Sequence, residues 1–213
     1  MFARFETFLN DNGFRVQKGQ IVDASIVRVP IQRNDHEENK LTKEEKEPEN
    51  WSKHKSCQKD VDVRWTKKNG RNFFGYKNHI SADVKYKLIC RYRISSAEVH
   101  DSNVFEDLQD PQTTSRDVRA DSAYRSQERI DNIVKIGYRE RLQRKGSHHK
   151  KLMDWEKQGN RTRSRIRLRI KHIFGIQAQR AASMIMRHWD RARAGRDQDR
   201  SVQLACKFGS FVK

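Results

Sequence analysis

A chain of 213 residues, 34% hydrophobic and 35% charged, holds one domain with a compact core and leaves sizeable stretches to solvent. Its net charge of +18 favours a polyanionic partner, nucleic acid foremost, because neutralised phosphates release counterions; a merely well-solvated basic surface is the alternative. No run approaches 18 apolar residues, which argues against a spanning helix; Met1 to Phe8 already carries Arg4 and Glu6 and does not read as a signal peptide; and three scattered cysteines (Cys57, Cys90, Cys206) fit a reducing cytoplasm.

In chain order, residues 1–16 read as a short amphipathic helix with Phe2, Phe5, Phe8 and Leu9 on one face, stopped by Gly13. Residues 20–29, rich in β-branched side chains, predict a strand. The charged tract 32–60 has almost no aliphatic residues and reads as a loop or flexible insertion. Strand patterns return at 72–80 and 86–94, and a short helix follows at 103–108. Residues 117–121 predict a strand. Ser126 then caps a helix with Ile130, Ile133 and Val134 on its inner face, and Gly137 stops it. A brief strand at 138–142 leads into a basic, polar loop over 145–159. Residues 161–171 alternate Arg with Ile or Leu, which taken alone is strand periodicity. Extended, Ile166, Ile170, Ile173, Phe174 and Gln177 fall on one helical face, so the stretch to Met186 reads as a long helix. The order implies an α/β fold with one mixed sheet flanked by helices.

Two carboxylates stand out. Asp23 lies within an otherwise apolar strand, where burial is costly unless the group is paired or binds a cation. Asp121 ends another strand, just before a helix. Two carboxylates so placed can converge on one sheet edge and suit Mg²⁺, with substrate phosphate filling the remaining positions. The plainer reading makes each Asp a cap, a turn residue or an arginine's partner.

The segments GQIVDAS (19–25), QKDVDVRWTKKNGRNFFGYKNHISAD (58–83), AEVHDS (97–102), RADSAYRS (119–126) and RSRIRLRIKHIFG (163–175) resemble the successive catalytic-domain blocks of DDE transposases, nearest the insertion-sequence-five family. The resemblance covers roughly residues 5–180, in the family's order and spacing. It implies an RNase H-like fold over residues 19–186, with 1–18 a remnant of an N-terminal helical region and 187–213 a degenerate tail. It further implies a triad of two Asp and one Glu that holds divalent ions, Mg²⁺ or Mn²⁺, for DNA strand cleavage and transfer. By position Asp23 is the first catalytic and metal-binding acid and Asp121 the second. The third acid belongs between Arg167 and His172, where this chain has Lys171.

A lysine cannot bind Mg²⁺, and its charge would repel the ion or pair with Asp23 or Asp121 instead. No Asp or Glu lies between Lys157 and Trp189, and Glu156 is read as lying beyond a basic loop. The resemblance therefore implies an impaired transposase, also missing the family's N-terminal DNA-binding region. The alternative is an inactive DNA-binding fragment that inhibits an intact transposase. The implied partners are DNA, both element ends and target, and a second copy or an intact transposase, with no membrane; the implied location is the bacterial cytoplasm at the nucleoid. Lys67, Lys68, Arg71 and Lys77 on a hairpin, and Arg163 and Arg167 on the long helix, are candidate DNA contacts; solvated faces are the alternative. Trp65, Phe73, Phe74 and Tyr76 read as core rather than base-stacking residues. Asp101 reads as a helix cap or a residue near the site, and His148 and His149 as loop residues.

Overall fold

A computed structural model describes residues 4, 7, 8, 11–13, 18–44, 46, 48–110, 115–147 and 151–185; the side chains at 57, 58 and beyond 179 are not described. The expected helix over 1–16 lies mostly outside the described residues, as do residues 187–213 and both His148 and His149.

The sheet is built around β1 (Gln20–Arg28) and β3 (Arg71–Asp83). They run antiparallel in unbroken register, from Gln20 opposite Asp83 to Arg28 opposite Gly75. The other edge of β3 is shared by β2 (Arg64–Lys68) and β4 (Ile89–Ser96), both antiparallel to it. Asn69 and Gly70, both at positive φ, make the tight β2–β3 turn, as a two-residue hairpin requires. Beyond β1 lie β5 (Asp117–Arg119) and β6 (Arg139–Glu140), both parallel. The expected strands are thus present, β6 shorter than the 138–142 pattern suggested, and β2 is an addition.

The tract 32–60 is not a structureless insertion. It carries α1 (His36–Lys43) and α2 (Lys53–Gln58), which meet over the buried Trp51. Glu38 organises them: one carboxylate oxygen takes the Trp51 indole N–H at 2.8 Å and the Lys55 ammonium, the other the Asp35 amide at 3.1 Å. One aromatic and one buried carboxylate replace the missing aliphatic residues. The loop expected at 145–159 is also shorter, because the long helix begins at Asp154.

Side chains alternate across β1, so each sheet face has its own core. On one face Val22 packs with Val118, Phe105, Leu108, Tyr124, Ile133 and Leu142. The covering elements are the 3₁₀ turns Asp101–Val104 and Glu106–Leu108 and the helix α3 (Gln127–Lys135). Ser126 caps α3 as predicted, its hydroxyl accepting from the Arg129 amide at 3.2 Å. Only Ile133 of α3 is buried; Val134, expected on the inner face, is exposed, one position round the helix from the seam.

On the opposite face Ile21, Ile80, Ala82 and Val84 receive Ile170 and Ile173 from α4 (Asp154–Ile185). The helical reading of the Arg-alternating stretch is therefore the observed one: once Ile166, Ile170 and Ile173 have an apolar sheet to cover, the 3.6-residue period prevails. The Gln177 side-chain Oε1 accepts from the Asn78 side-chain Nδ2 at 3.1 Å, and the Arg169 guanidinium donates to the Val84 backbone carbonyl at 2.8 Å, which seats the helix along the sheet.

Candidate active site

Asp23 is central in β1, opposite Ile80 of β3. On the β5 side, Ile21 is the partner of Arg119 in the parallel ladder. Asp23 lies two residues beyond Ile21 and Asp121 two beyond Arg119, just past the end of β5, and the two are close enough for the Asp121 charge to act on Asp23. Strand alternation turns Asp23, like Ile21, towards α4, which brings Arg167 over the pair.

The two carboxylates differ. Burial pushes the Asp23 carboxyl above its ordinary value, against the opposing pull of Arg167, of its bond from the Ala24 amide at 3.0 Å, and of Lys68; the Asp121 charge adds to the rise. Asp121 caps the 3₁₀ turn Ser122–Tyr124, accepting from the Ser122 amide at 2.6 Å. Its other oxygen is held by Arg167 Nη1 at 2.6 Å. Burial resists ionisation of Asp121, but the Arg167 charge and hydrogen bond, with the Ser122 donors, outweigh it and hold its pKa below the ordinary value.

Arg167, expected to be a DNA contact, is thus the counterion of Asp121. Lys171, one turn further along α4, is exposed. The expectation that Lys171 would pair with an aspartate is corrected by this geometry, since the cation on Asp121 is Arg167. Glu156 lies within α4 rather than beyond a loop and is paired with Arg144 at 2.9 Å. Eleven residues separate it from Arg167, about 16 Å along the helix.

Of the other basic candidates, Lys67 and Arg71 are exposed on the β2–β3 hairpin, and Lys68 adds positive charge at Asp23. Lys77 is enclosed, donating to the Val99 carbonyl at 2.7 Å and lying 2.9 Å from Asp101, so it is no open phosphate contact. Arg163 is half-buried among Arg125, Arg141 and Arg144. Tyr76 is buried as expected, whereas Trp65 is 52% exposed and leans on Phe74 at 5.1 Å between ring centroids. His100, not Asp101, caps the turn Asp101–Val104.

Sequence reasoning missed Tyr124. Its side chain is 1% exposed, its hydroxyl has no hydrogen-bond partner, and burial together with the charges of Asp101, Asp23 and Asp121 raises its pKa. The only sequence signal was its place three residues after Asp121.

Asp23 and Asp121 offer the hard oxygen donors that one divalent ion takes, leaving positions for water and phosphate. They fit one ion in part. Among the described residues no three His, Cys, Asp or Glu side chains converge closely enough to hold a metal, and Arg167 already engages Asp121.

Residues 15–194 match the transposase DDE domain. The chain belongs to that family. DDE transposase domains are RNase H-like, and the sheet of this one, antiparallel strands continued by two parallel ones, has that mixed form. The domain is also similar to the transposase for insertion sequence element IS1106 of Neisseria meningitidis serogroup B, at 26% identity over 169 residues. That match covers 78% of this chain and 57% of the relative, so the chain spans little more than half of the relative's length. No solved structure matches the chain. Among the described residues no helix is long and apolar enough to cross a membrane.

Proposed function

We propose that this DDE domain is the catalytic part of an insertion-sequence transposase of the insertion-sequence-five group, that it acts on element ends and target DNA at the bacterial nucleoid, and that Lys171 impairs it. The observation that carries the reading is the adjacency of Asp23 and Asp121 beside the β1–β5 ladder, beneath a stretch of α4 that presents Arg167 and Lys171, the acids of that helix (Asp154 and Glu156) lying in its first turn.

In this reading Asp23 and Asp121 would hold Mg²⁺ or Mn²⁺, which supplies Lewis acidity to a phosphodiester when bound. The protein's own contribution is positional. The Ser122 amide orients one Asp121 oxygen, and the Ala24 amide one Asp23 oxygen. Arg167 neutralises Asp121 and, turned towards substrate, has the planar fork that suits a phosphate. Loss of a third carboxylate removes charge where a second ion would sit and costs several kcal/mol of transition-state stabilisation.

The second reading is an inactive DNA-binding relative that joins and inhibits an intact transposase. It is favoured by the exposed lysine at the third-acid position and by the Arg167–Asp121 pair.

The test is nicking of supercoiled DNA and strand transfer of an oligonucleotide with Mg²⁺ or Mn²⁺, using this chain, Lys171→Glu, and Lys171→Glu with Asp23→Ala. We expect the unaltered chain to be at least about 100-fold slower than Lys171→Glu, equivalent to some ~2.7 kcal/mol, and the double variant to be inert. Equal rates for the first two would remove the impairment claim. Inertness of all three with DNA bound would favour the inhibitor.

A further inference from the structure

The edge of the sheet beyond the aspartates carries an arginine cluster that no part of the chemistry above uses. Strand β6 is the last strand in the sheet order, so among the described residues one of its edges is unpaired. Asp117, itself enclosed, draws in Arg119 at 2.7 Å, Arg139 at 2.8 Å and Arg141 at 3.7 Å. Glu140 takes Arg125 at 2.5 Å, and Glu156 takes Arg144 at 2.9 Å. Arg163 joins the group from α4, where it is held against the charges of Arg144, Arg141 and Arg125, with Glu140 opposing them. Three carboxylates thus serve six guanidiniums.

Part of the excess is shielded from solvent. Arg119 and Arg163 are both partly desolvated, and each is crowded by three other arginines. Like charges packed out of water store repulsion that a polyanion relieves. The outer members are reachable: Arg139, Arg141 and Arg144 have side chains 65%, 45% and 36% exposed.

The cluster is also continuous with the aspartates. Arg163 and Arg167 are one helical turn apart on α4, about 6 Å between their Cβ atoms. A cationic path therefore leads from Asp121 through Arg167 and Arg163 to Arg141 and Arg144 at the β6 edge. We infer that this path is a binding surface for the phosphate backbone of duplex DNA, flanking the phosphodiester presented to Asp23 and Asp121. The occupant is DNA rather than an acidic protein because the path ends at two carboxylates suited to phosphoryl chemistry; in this the inference rests on the function proposed above. Guanidiniums suit the task, since each forks onto phosphate oxygens without reading base sequence.

The test is the salt dependence of binding of the full chain to a fluorescent DNA duplex, followed by anisotropy. Arg141→Gln with Arg144→Gln should lower the slope of log affinity against log salt by about 2, close to 0.9 for each phosphate that is no longer neutralised. Arg141→Lys with Arg144→Lys should restore the slope, because charge and not packing is what the surface supplies. An unchanged slope in the glutamine variant, or a lowered slope that lysine fails to rescue, would overturn the inference while leaving the DNA reading intact. Absence of duplex binding by the unaltered chain would overturn both.

Discussion

Burial alters an ionisable side chain most where counter-charge only partly offsets it, and His79 shows the consequence. It is fully enclosed in β3, with Nε2 on the Ser95 hydroxyl at 2.8 Å and Nδ1 without a partner. Desolvation, only partly opposed by Asp101, pulls its pKa down to about 4. The unfolded chain takes up its proton near pH 6.5 and the folded one only near 4, so stability is complete above 6.5 and is lost as pH falls towards 4. The drop should approach about 3 kcal/mol, at roughly 1.36 kcal/mol per unit. His79→Gln should flatten urea-unfolding stability between pH 6.5 and 4; an undiminished slope would place the titration elsewhere. Asp23 illustrates the same rule with a partner to hand, since Arg167 and Lys68 limit what burial does to it. The identity of Lys171 was legible at this scale, but its exposure and the pairing of Arg167 with Asp121 were not, because both depend on how α4 is turned.

At the level of elements, β3 carries most of the sheet, with β1 on one edge and β2 and β4 on the other. Gly75 is where these ladders change over: it pairs with Arg64 and Arg28 and receives the Ala97 amide on its carbonyl at 3.2 Å. Its φ of 158° and the close approach of the Val27 carbonyl leave no room for a Cβ. Gly75→Ala should therefore destabilise the domain by about 2–4 kcal/mol in a denaturant melt; a loss below about 0.5 kcal/mol would mean that the strand shifts freely. The other strands and α3 were readable because each satisfies its own pattern locally, whereas β2 becomes a strand only by pairing with β3. The helices α1 and α2 were not, since their stability comes from Glu38 joining Trp51, Lys55 and Asp35, contacts that no periodicity reports.

Across the whole molecule, α4 is what converts a two-faced sheet into a site. Ile170 and Ile173 close the second core, and the same docking sets Arg167 over Asp121 and Arg163 against the β6 edge. Ile170, fully buried, anchors it. Ile170→Ala should cost about 2–5 kcal/mol and, because helix docking aligns the arginines, should weaken duplex binding further than its melting temperature alone explains. Retention of full affinity in the folded variant would separate helix docking from the DNA surface.

By itself the sequence determined five of the six strands, the helical period of α4, the basic charge, the family resemblance and the absence of an acid at position 171. Those are properties of residue type and spacing, which a chain carries before it folds. The tertiary structure alone decided that Asp23 and Asp121 become neighbours, that Arg167 rather than Lys171 holds Asp121, that Lys77 is enclosed beside Asp101, and that six arginines gather at β6. Each of these joins residues far apart in the chain through strand register or helix rotation, and both are set by which faces find apolar partners.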